Sequence, residues 1–480
     1  MTTATTQTRN EAEPTAYRFS TAAPTGVWLG LGVPRLAILA AGLLGTVGLL
    51  AMRAGLPVGL CPLILTAAVT LLPVAGRPLS GWISPAVVHG QSTGTGTTRW
   101  TARIPHASLS GEAGWADGWR LRLPPECGRL TVFDVTEAGG GCPVALVRER
   151  RSAAGTLLFA VAGPDRFGLL DPDGQDRLVA GWGRVLVAFA QRDRGLGRVQ
   201  LVERVSAVES DLAATRDWVA GRGEQAIASL AGLSSVVDAV TVRRDSLLAV
   251  RLPAVRDTAD AVARARDVAG QLLAAELVAR PLDAETVAGL LRRMLSFDGT
   301  AAGADAGLVS RRSGWESVRT DDCWHRSFAV TAWPGSPVPA NWLSALLVAT
   351  PPAGAWTFAV HLGAVAPELA GRLARAARTR AELDRADRTR LGLPASAAAD
   401  RAVAESAGMD AELVAGHATH RLAAVLTCTA SSPGELAESA RGLRDAAAGA
   451  ALTVRPLHGQ HQLALAATLP LCRLAFGGAA

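Results

Sequence analysis

Two long apolar runs stand near the start of the chain. Leu36 to Met52 and Leu56 to Val74 carry no charged residue, and Arg53-Ala54-Gly55 separates them. A membrane-spanning helix needs roughly 20 apolar residues, and both runs come close to that length. The pattern predicts a transmembrane helical hairpin over 27–77, with Arg53 snorkelling at its tip. Pro57 suits the first turn of the second helix, where its missing N–H is harmless, and Pro62 predicts a kink. A buried helical pair and a signal peptide are the alternatives. The segment before the first run lacks a compact basic stretch, which disfavours the signal peptide. Arg35 and Arg77 flank the hairpin, with Arg9 and Arg18 upstream. This bias places both termini in the cytoplasm. The expectation is a multi-pass plasma-membrane protein with cytoplasmic soluble domains and the lipid bilayer as one partner.

Outside the hairpin, strand-like and helix-like periodicities alternate, which predicts an α+β class. Residues 1–26 read as a disordered tail and 78–98 as a linker. A first α/β soluble region spans 99–298. It holds strands at 142–148, 157–161, 201–205 and 247–252, and helices at 175–191, 211–232, 257–277 and 284–295. Residues 299–314 read as a second linker. The second region, 315–476, places strands at 327–333, 356–362, 421–429 and 452–455. Ser432-Pro433-Gly434-Glu435 is a capping box opening a helix. Two strand–helix–strand units, 327–362 and 421–456, predict a ferredoxin-like split βαβ sheet. An Ala/Arg-rich helical hairpin over 366–415 is inserted between its halves and carries only a thin stripe, Leu369, Leu373 and Leu383.

Composition sharpens the function classes. The formal charge is +6, and every basic side chain is arginine, since the sequence holds no lysine. A P-loop requires a lysine on the β/γ-phosphates, so a nucleotide site of that kind is excluded, as is Schiff-base catalysis on lysine. The six cysteines are dispersed with no C-x-x-C pair, which fits a reducing compartment and gives no disulfide framework.

Candidate chemistry is sparse. Asp171-Pro172-Asp173-Gly174-Gln175-Asp176 resembles a calcium loop but lacks glycine at position six and glutamate at twelve, so a helix-entry turn is expected. His417/His420 and His458/His461 have metal-compatible spacing without a completing ligand. Cys323-Trp324-His325 and Asp321-Asp322 are adjacent reactive types in a loop or turn. No G-x-S-x-G elbow occurs. Arg372 to Arg401 is basic but interleaved with Glu382, Asp384, Asp387 and Asp400, and has no aromatic residue for base stacking. A solvated or protein-docking face is expected there, not sequence-specific nucleic acid binding. No catalytic, cofactor-binding or metal residue is assigned, and no cofactor is expected.

Several stretches carry a resemblance: Tyr17-Arg18-Phe19, then GTLLFAVAGPDRFGLLDPDGQDRLVAGWGRVLVAFAQ (155–191), WESVRTDDCWHRSFAVTAWP (315–334), RTRAELDRADRTRLGLPAS (378–396), GHATHRLAAVLTCTASSPGELAESARGL (416–443) and HGQHQLALAATLPLCR (458–473). Together they resemble an actinobacterial conjugation, or type IV secretion-like, membrane protein. In that family a PrgI-type hairpin is fused to a region like the N-terminal domain of the type IV secretion ATPase, without the ATPase domain. The resemblance implies a non-catalytic inner-membrane scaffold. Its implied partners are a separate secretion or conjugation ATPase, other secretion-channel subunits and further copies in a homo- or hetero-oligomer. The membrane hairpin, the WH…WP segment and the closing ATLPL also resemble EccE of type VII secretion, which implies a non-enzymatic role as well.

Overall fold

A computed structural model describes Tyr17, Phe19 and residues 33–102, 119–207, 242–296 and 308–474, apart from breaks at 54, 75–76, 121–122, 137–141, 150–151, 164–166, 191–196, 309, 352–353 and 393–396. The predicted helix at 211–232 lies outside the described residues.

Helices α1 (Val33–Ala51) and α2 (Leu56–Leu71) form an antiparallel pair. Gly42 and Gly59 sit at the contact, where an added Cβ would run into Thr66 and Leu50. A two-stranded ribbon follows, β1 (Pro73–Val74) with β2 (Arg77–Pro78), and then α3 (Ser80–Gly94).

The remaining strands are β3 (Arg99–Thr101), β4 (Trp119–Arg120), β5 (Leu130–Val135), β6 (Val144–Glu149), β7 (Gly155–Ala162), β8 (Arg198–Ala207), β9 (Val242–Leu252), β10 (Val278–Pro281), β11 (Ser310–Ser313), β12 (Val318–Thr320), β13 (Cys323–Ala332), β14 (Ala355–Ala364), β15 (His420–Ala430) and β16 (Thr453–Pro456). All belong to one 14-stranded sheet. Every pairing in it is antiparallel. The helices are α4 (Pro172–Ala190), α5 (Thr258–Leu273), α6 (Ala284–Leu295), α7 (Ser344–Val348), α8 (Pro367–Arg390), α9 (Ala397–Val414), α10 (Pro433–Gly449) and α11 (His461–Thr468).

The sheet contains the same unit twice. In the first, β7-α4-β8 and β9-α5-β10 place their strands in the order β10-β7-β9-β8. In the second, β13-α7-β14 and β15-α10-β16 give β16-β13-β15-β14. Both are split βαβ arrangements. A hairpin precedes each unit, β5–β6 and β11–β12, and a helix follows each, α6 and α11. The registers superpose: Phe159 opposite Pro281 is matched by Phe328 opposite Pro456. The N–H of Leu282 donates to Leu158 O at 3.0 Å, and the N–H of Leu457 donates to Ser327 O at 3.0 Å. Arg280-Pro281-Leu282 recurs as Arg455-Pro456-Leu457 at these places.

The two units meet through their edge strands. β8 pairs with β14 from Ser206 opposite Ala355 to Val199 opposite Leu362. An unpaired sheet edge leaves a row of backbone donors and acceptors open, and this pairing closes both edges at once. Covered on both faces, the central strands bury consecutive residues, as in Leu157, Leu158 and Phe159. Trp356, Phe358 and Leu362 pack in the two hydrophobic clusters that also hold α4, α5 and α10 residues. Residues of α6 and α11 share another cluster with Leu158, Val202, Ala249 and Ala359.

Local sequence explains three of the helix starts directly. Asp257, Asp283 and Ser432 accept from the N–H of Asp260, Thr286 and Glu435 at the starts of α5, α6 and α10. Gly181 of α4 leaves room for Ala275, which lies 3.4 Å from where a Cβ would stand.

The fold departs from the sequence expectation in two respects. Two separate soluble α/β regions are replaced by a continuous antiparallel sheet, because β8 and β14 are edges that complete each other. The transmembrane hairpin is also corrected: among the described residues, no helix is long and apolar enough to cross a membrane. α2 has 16 residues, about 24 Å at 1.5 Å per residue. α1 contains Arg35, and its uncharged part from Leu36 to Ala51 also spans about 24 Å. A bilayer core is about 30 Å thick. The multi-pass plasma-membrane localisation is therefore not supported. The hairpin does expose apolar side chains, among them Leu44, Val47, Met52, Leu56, Ile64 and Leu65.

The stretch 78–98 is also more ordered than a linker. α3 is anchored by Trp82 and His89, which pack on Trp315 and His458 with ring centroids 5.4–6.1 Å apart. Packing of these rings outweighs the poor helix propensity of the Gly/Ser/Thr-rich sequence.

Candidate docking surface

The sheet face under α6 and α11 is the obvious place to look for chemistry, because polar side chains are buried there. Arg204 stands opposite Thr357, Thr357 opposite Thr427, and Thr427 opposite Ser327. His325 stands opposite Thr429. These groups satisfy one another and the ends of the covering helices. Arg204 donates to Arg293 O at 2.6 Å, and Thr320 donates to Leu295 O at 2.6 Å. His361 donates through Nε2 to Ala467 O at 2.8 Å. Gln200 donates to Ala467 O and Leu469 O at 3.0 and 2.9 Å. The last carbonyls of a helix have no partner within it, and here strand side chains cap them. Burial lowers the Arg204 pKa to about 10 and that of His361 to about 4. This face is a structural network.

The reactive types flagged in the sequence are likewise engaged. Both ring nitrogens of His325 meet hydroxyls, those of Thr320 and Thr429, so the ring offers no base to Cys323. Burial pushes His325 down to about 3. Asp321 accepts from the Ser310 N–H at 2.6 Å, whereas Asp322 accepts from Ser296 Oγ at 2.6 Å, so the two carboxylates hold different segments. Asp171 Oδ1 accepts from the Gly174 N–H at 3.0 Å, a helix-entry turn. His461 Nδ1 accepts from the Ser327 N–H at 3.1 Å, and burial holds its pKa at about 3. His458 stacks on Trp82 and Trp315. His417 lies between α9 and β15, and His420 is the first residue of β15, which pairs with β14 and β13. Among the described residues no group of three or more His, Cys, Asp or Glu is placed to hold a metal ion. Burial raises the thiols of Cys127, Cys428 and Cys472 to about 12, which keeps them protonated and inert.

What the fold leaves uncommitted is the arm formed by α8 and α9, carried on the connection between β14 and β15. Within α8 only Ala370 and Ala374 are buried, both in its first turns. Further out the helix is held by its own charges. Arg378 pairs with Glu382 at 2.9 Å, Arg388 with Asp384 at 3.1 Å, and Arg385 reaches Asp400 on α9 at 3.4 Å. Exposed pairs of this kind contribute little, about 0.3–0.5 kcal/mol each. Leu369, Leu373, Leu383 and Leu391 remain exposed. A groove of about 440 Å³ runs between the helices, lined by Glu382, Arg385, Ala386, Thr389, Arg390 and Val403. Mixed charge around small apolar patches is the make-up of a protein-binding rim.

A second surface escaped the sequence reading. Tyr17 and Phe19 lie across the body far from their place in the chain. The Tyr17 backbone exchanges two hydrogen bonds with Val338, at 2.8 and 2.9 Å. Its hydroxyl donates to Asp176 Oδ1 at 2.6 Å. Burial, with this carboxylate beside it, pushes the phenol up to about 12. Phe19 stacks on Trp333 at 5.3 Å and meets the edge of Trp342 at 4.9 Å. The only hint in the sequence was a pair of aromatic residues, Tyr17 and Phe19, inside an otherwise polar tail.

No family model matches the chain, and no curated protein does either. The secretion and conjugation terms rested on the resemblance alone. With no supporting match and no membrane-length helix among the described residues, they are withdrawn.

Proposed function

We propose that the chain is a non-catalytic scaffold that docks a separate ATPase, with the α8–α9 arm as the docking element. The observation that carries this reading is the arm itself. It is a helical pair of 24 and 18 residues whose longer helix buries two alanines near its root. Fixing a backbone costs roughly 1–2 kcal/mol per residue. An arm with so little packing on its own body is well suited to a partner. The resemblance supplies the class of that partner. A non-catalytic role is supported by the absence of lysine and by the engagement of His325, Asp321 and Asp322 in structural hydrogen bonds.

The test replaces residues 367–414 with a short Gly/Ser link in the full chain. β14 and β15 pair along their whole length, so they form a hairpin across the new link. The expected result is a folded protein that no longer recovers an ATPase from its native extract. Unchanged recovery would move the docking surface elsewhere on the body.

A further inference from the structure

The seat of Tyr17 and Phe19 has the parts of a peptide-recognition site. A two-way backbone bridge at Val338 fixes the direction of the bound segment. The Trp333/Trp342 slot takes an aromatic ring, stacked on one indole and edge-on to the other. Asp176, at the start of α4, accepts a phenol hydroxyl two residues earlier in the segment. Asp176 belongs to the first split βαβ unit and the two tryptophans to the second, so the bound segment bridges both.

We propose that this seat is an exchange site, which takes the Tyr17–Phe19 segment of a second copy of the chain in place of its own. The site reads only a backbone bridge, a phenol and a phenyl ring, and these contacts are the same whichever copy supplies them. The covalent link back to the body is long: from Phe19 to Val33 the chain reaches at most about 46–50 Å. A tether of that length allows the segment to seat on a second copy. The same link leads into α1, which with α2 presents Leu44, Met52, Ile64 and Leu65 to the outside. Contiguous apolar surface of this kind marks an interaction face, and copies brought together by their segments bring these faces together. Exchange of an identical element is a low-cost route to a dimer.

The experiment uses full chains with two different tags. One variant lacks the segment's rings (Tyr17→Ala with Phe19→Ala) and keeps the slot. The other lacks the slot (Trp333→Ala with Trp342→Ala) and keeps the segment. The mixed pair is expected to be recovered together at least tenfold better than either variant with its own kind. A synthetic peptide spanning residues 13–21 is expected to dissociate the mixed pair, and the same peptide with Phe19→Ala is not. The peptide is also expected to change the tryptophan fluorescence of the ring-less chain saturably, which tests the seat without the slot variant. Equal recovery of all pairs would assign association to the α1–α2 face and overturn the proposal. Saturable peptide binding without recovery of the mixed pair would make the segment a purely internal strap, and that also overturns it.

Discussion

Arg204 and His361 hold equivalent places in the two split βαβ units and do the same work with different chemistry. Each stands on the second strand of its unit, β8 or β14. Each donates to a carbonyl in the last turn of the helix that follows its unit, Arg204 to Arg293 O and His361 to Ala467 O. A cation and a neutral imidazole serve the same helix end because only a donor is required.

Removing Arg204 takes away the side-chain donor to Arg293 O, and Arg204→Met is expected to destabilise by about 1–3 kcal/mol in urea unfolding. Ala467 O keeps its bond from Gln200 when His361 is lost, so His361→Phe is expected to cost less, about 0.5–1.5 kcal/mol. Arg204 is opposite Thr357, which lies four residues from His361 along β14, or about 13 Å. The double variant is therefore expected to equal the sum within about 0.5 kcal/mol. A clearly non-additive result would mean that α6 and α11 act as one body over the sheet.

Stability is expected to fall in acid. His325, His361 and His461 are buried neutral, with pKa values of about 3, 4 and 3. In the unfolded chain each titrates near its ordinary value of about 6.5. The unfolded state thus binds more protons as pH drops below that value. Stability contributed by these groups is complete above about pH 7 and declines from there through pH 4, by about 1.4 kcal/mol per pH unit for each histidine. Unfolding midpoints measured from pH 8 to pH 5 check this. His361→Gln is expected to flatten the slope, and an equally steep slope in that variant would exclude His361 as a contributor.

Gly354 enters β14 with φ +72°, and a Cβ there would collide with the backbone carbonyl of Thr429. The left-handed conformation alone costs a non-glycine residue about 1–2 kcal/mol. Backbone on the far side of the clash cannot swing away as a flexible side chain does. Gly354→Ala is expected to lower stability by more than about 2 kcal/mol. Gly183→Ala, in open space on α4, is expected to be neutral or stabilising. The pair is read in one thermal melt.

The purified chain is expected not to hydrolyse ATP. A P-loop places a lysine on the β/γ-phosphates, and the sequence has none. Turnover measured across a sizing column checks this. Activity that follows the chain and disappears on changing one of its own residues would contradict it.

Local signals in the sequence determined much of the outline. The Ser432–Glu435 box opens α10, the 3.6-residue stripe of Ala284 to Leu295 is α6, and Asp384 pairs with Arg388 on the arm. These features depend on neighbours within a turn or two, so the sequence displays them directly. The long-range features were hidden. The duplication was hard to read because many matched rungs differ in residue type: Leu157, Val250 and Val199 correspond to Arg326, Cys428 and Trp356. A sheet repeats its hydrogen bonds, which are made by the backbone, and leaves the side chains free to diverge. Two short traces survive, Phe159-Ala160-Val161 repeated as Phe328-Ala329-Val330 in the first strand of each unit and Arg-Pro-Leu repeated at the end of the last. The apolar runs near the start reported hydrophobicity faithfully, yet where the helices start and stop, and so their length, was set by the folded chain. The seat of Tyr17 and Phe19 joins residues 159 positions apart and more, Tyr17 to Asp176 and Phe19 to Trp333, and only the packed sheet brings them together.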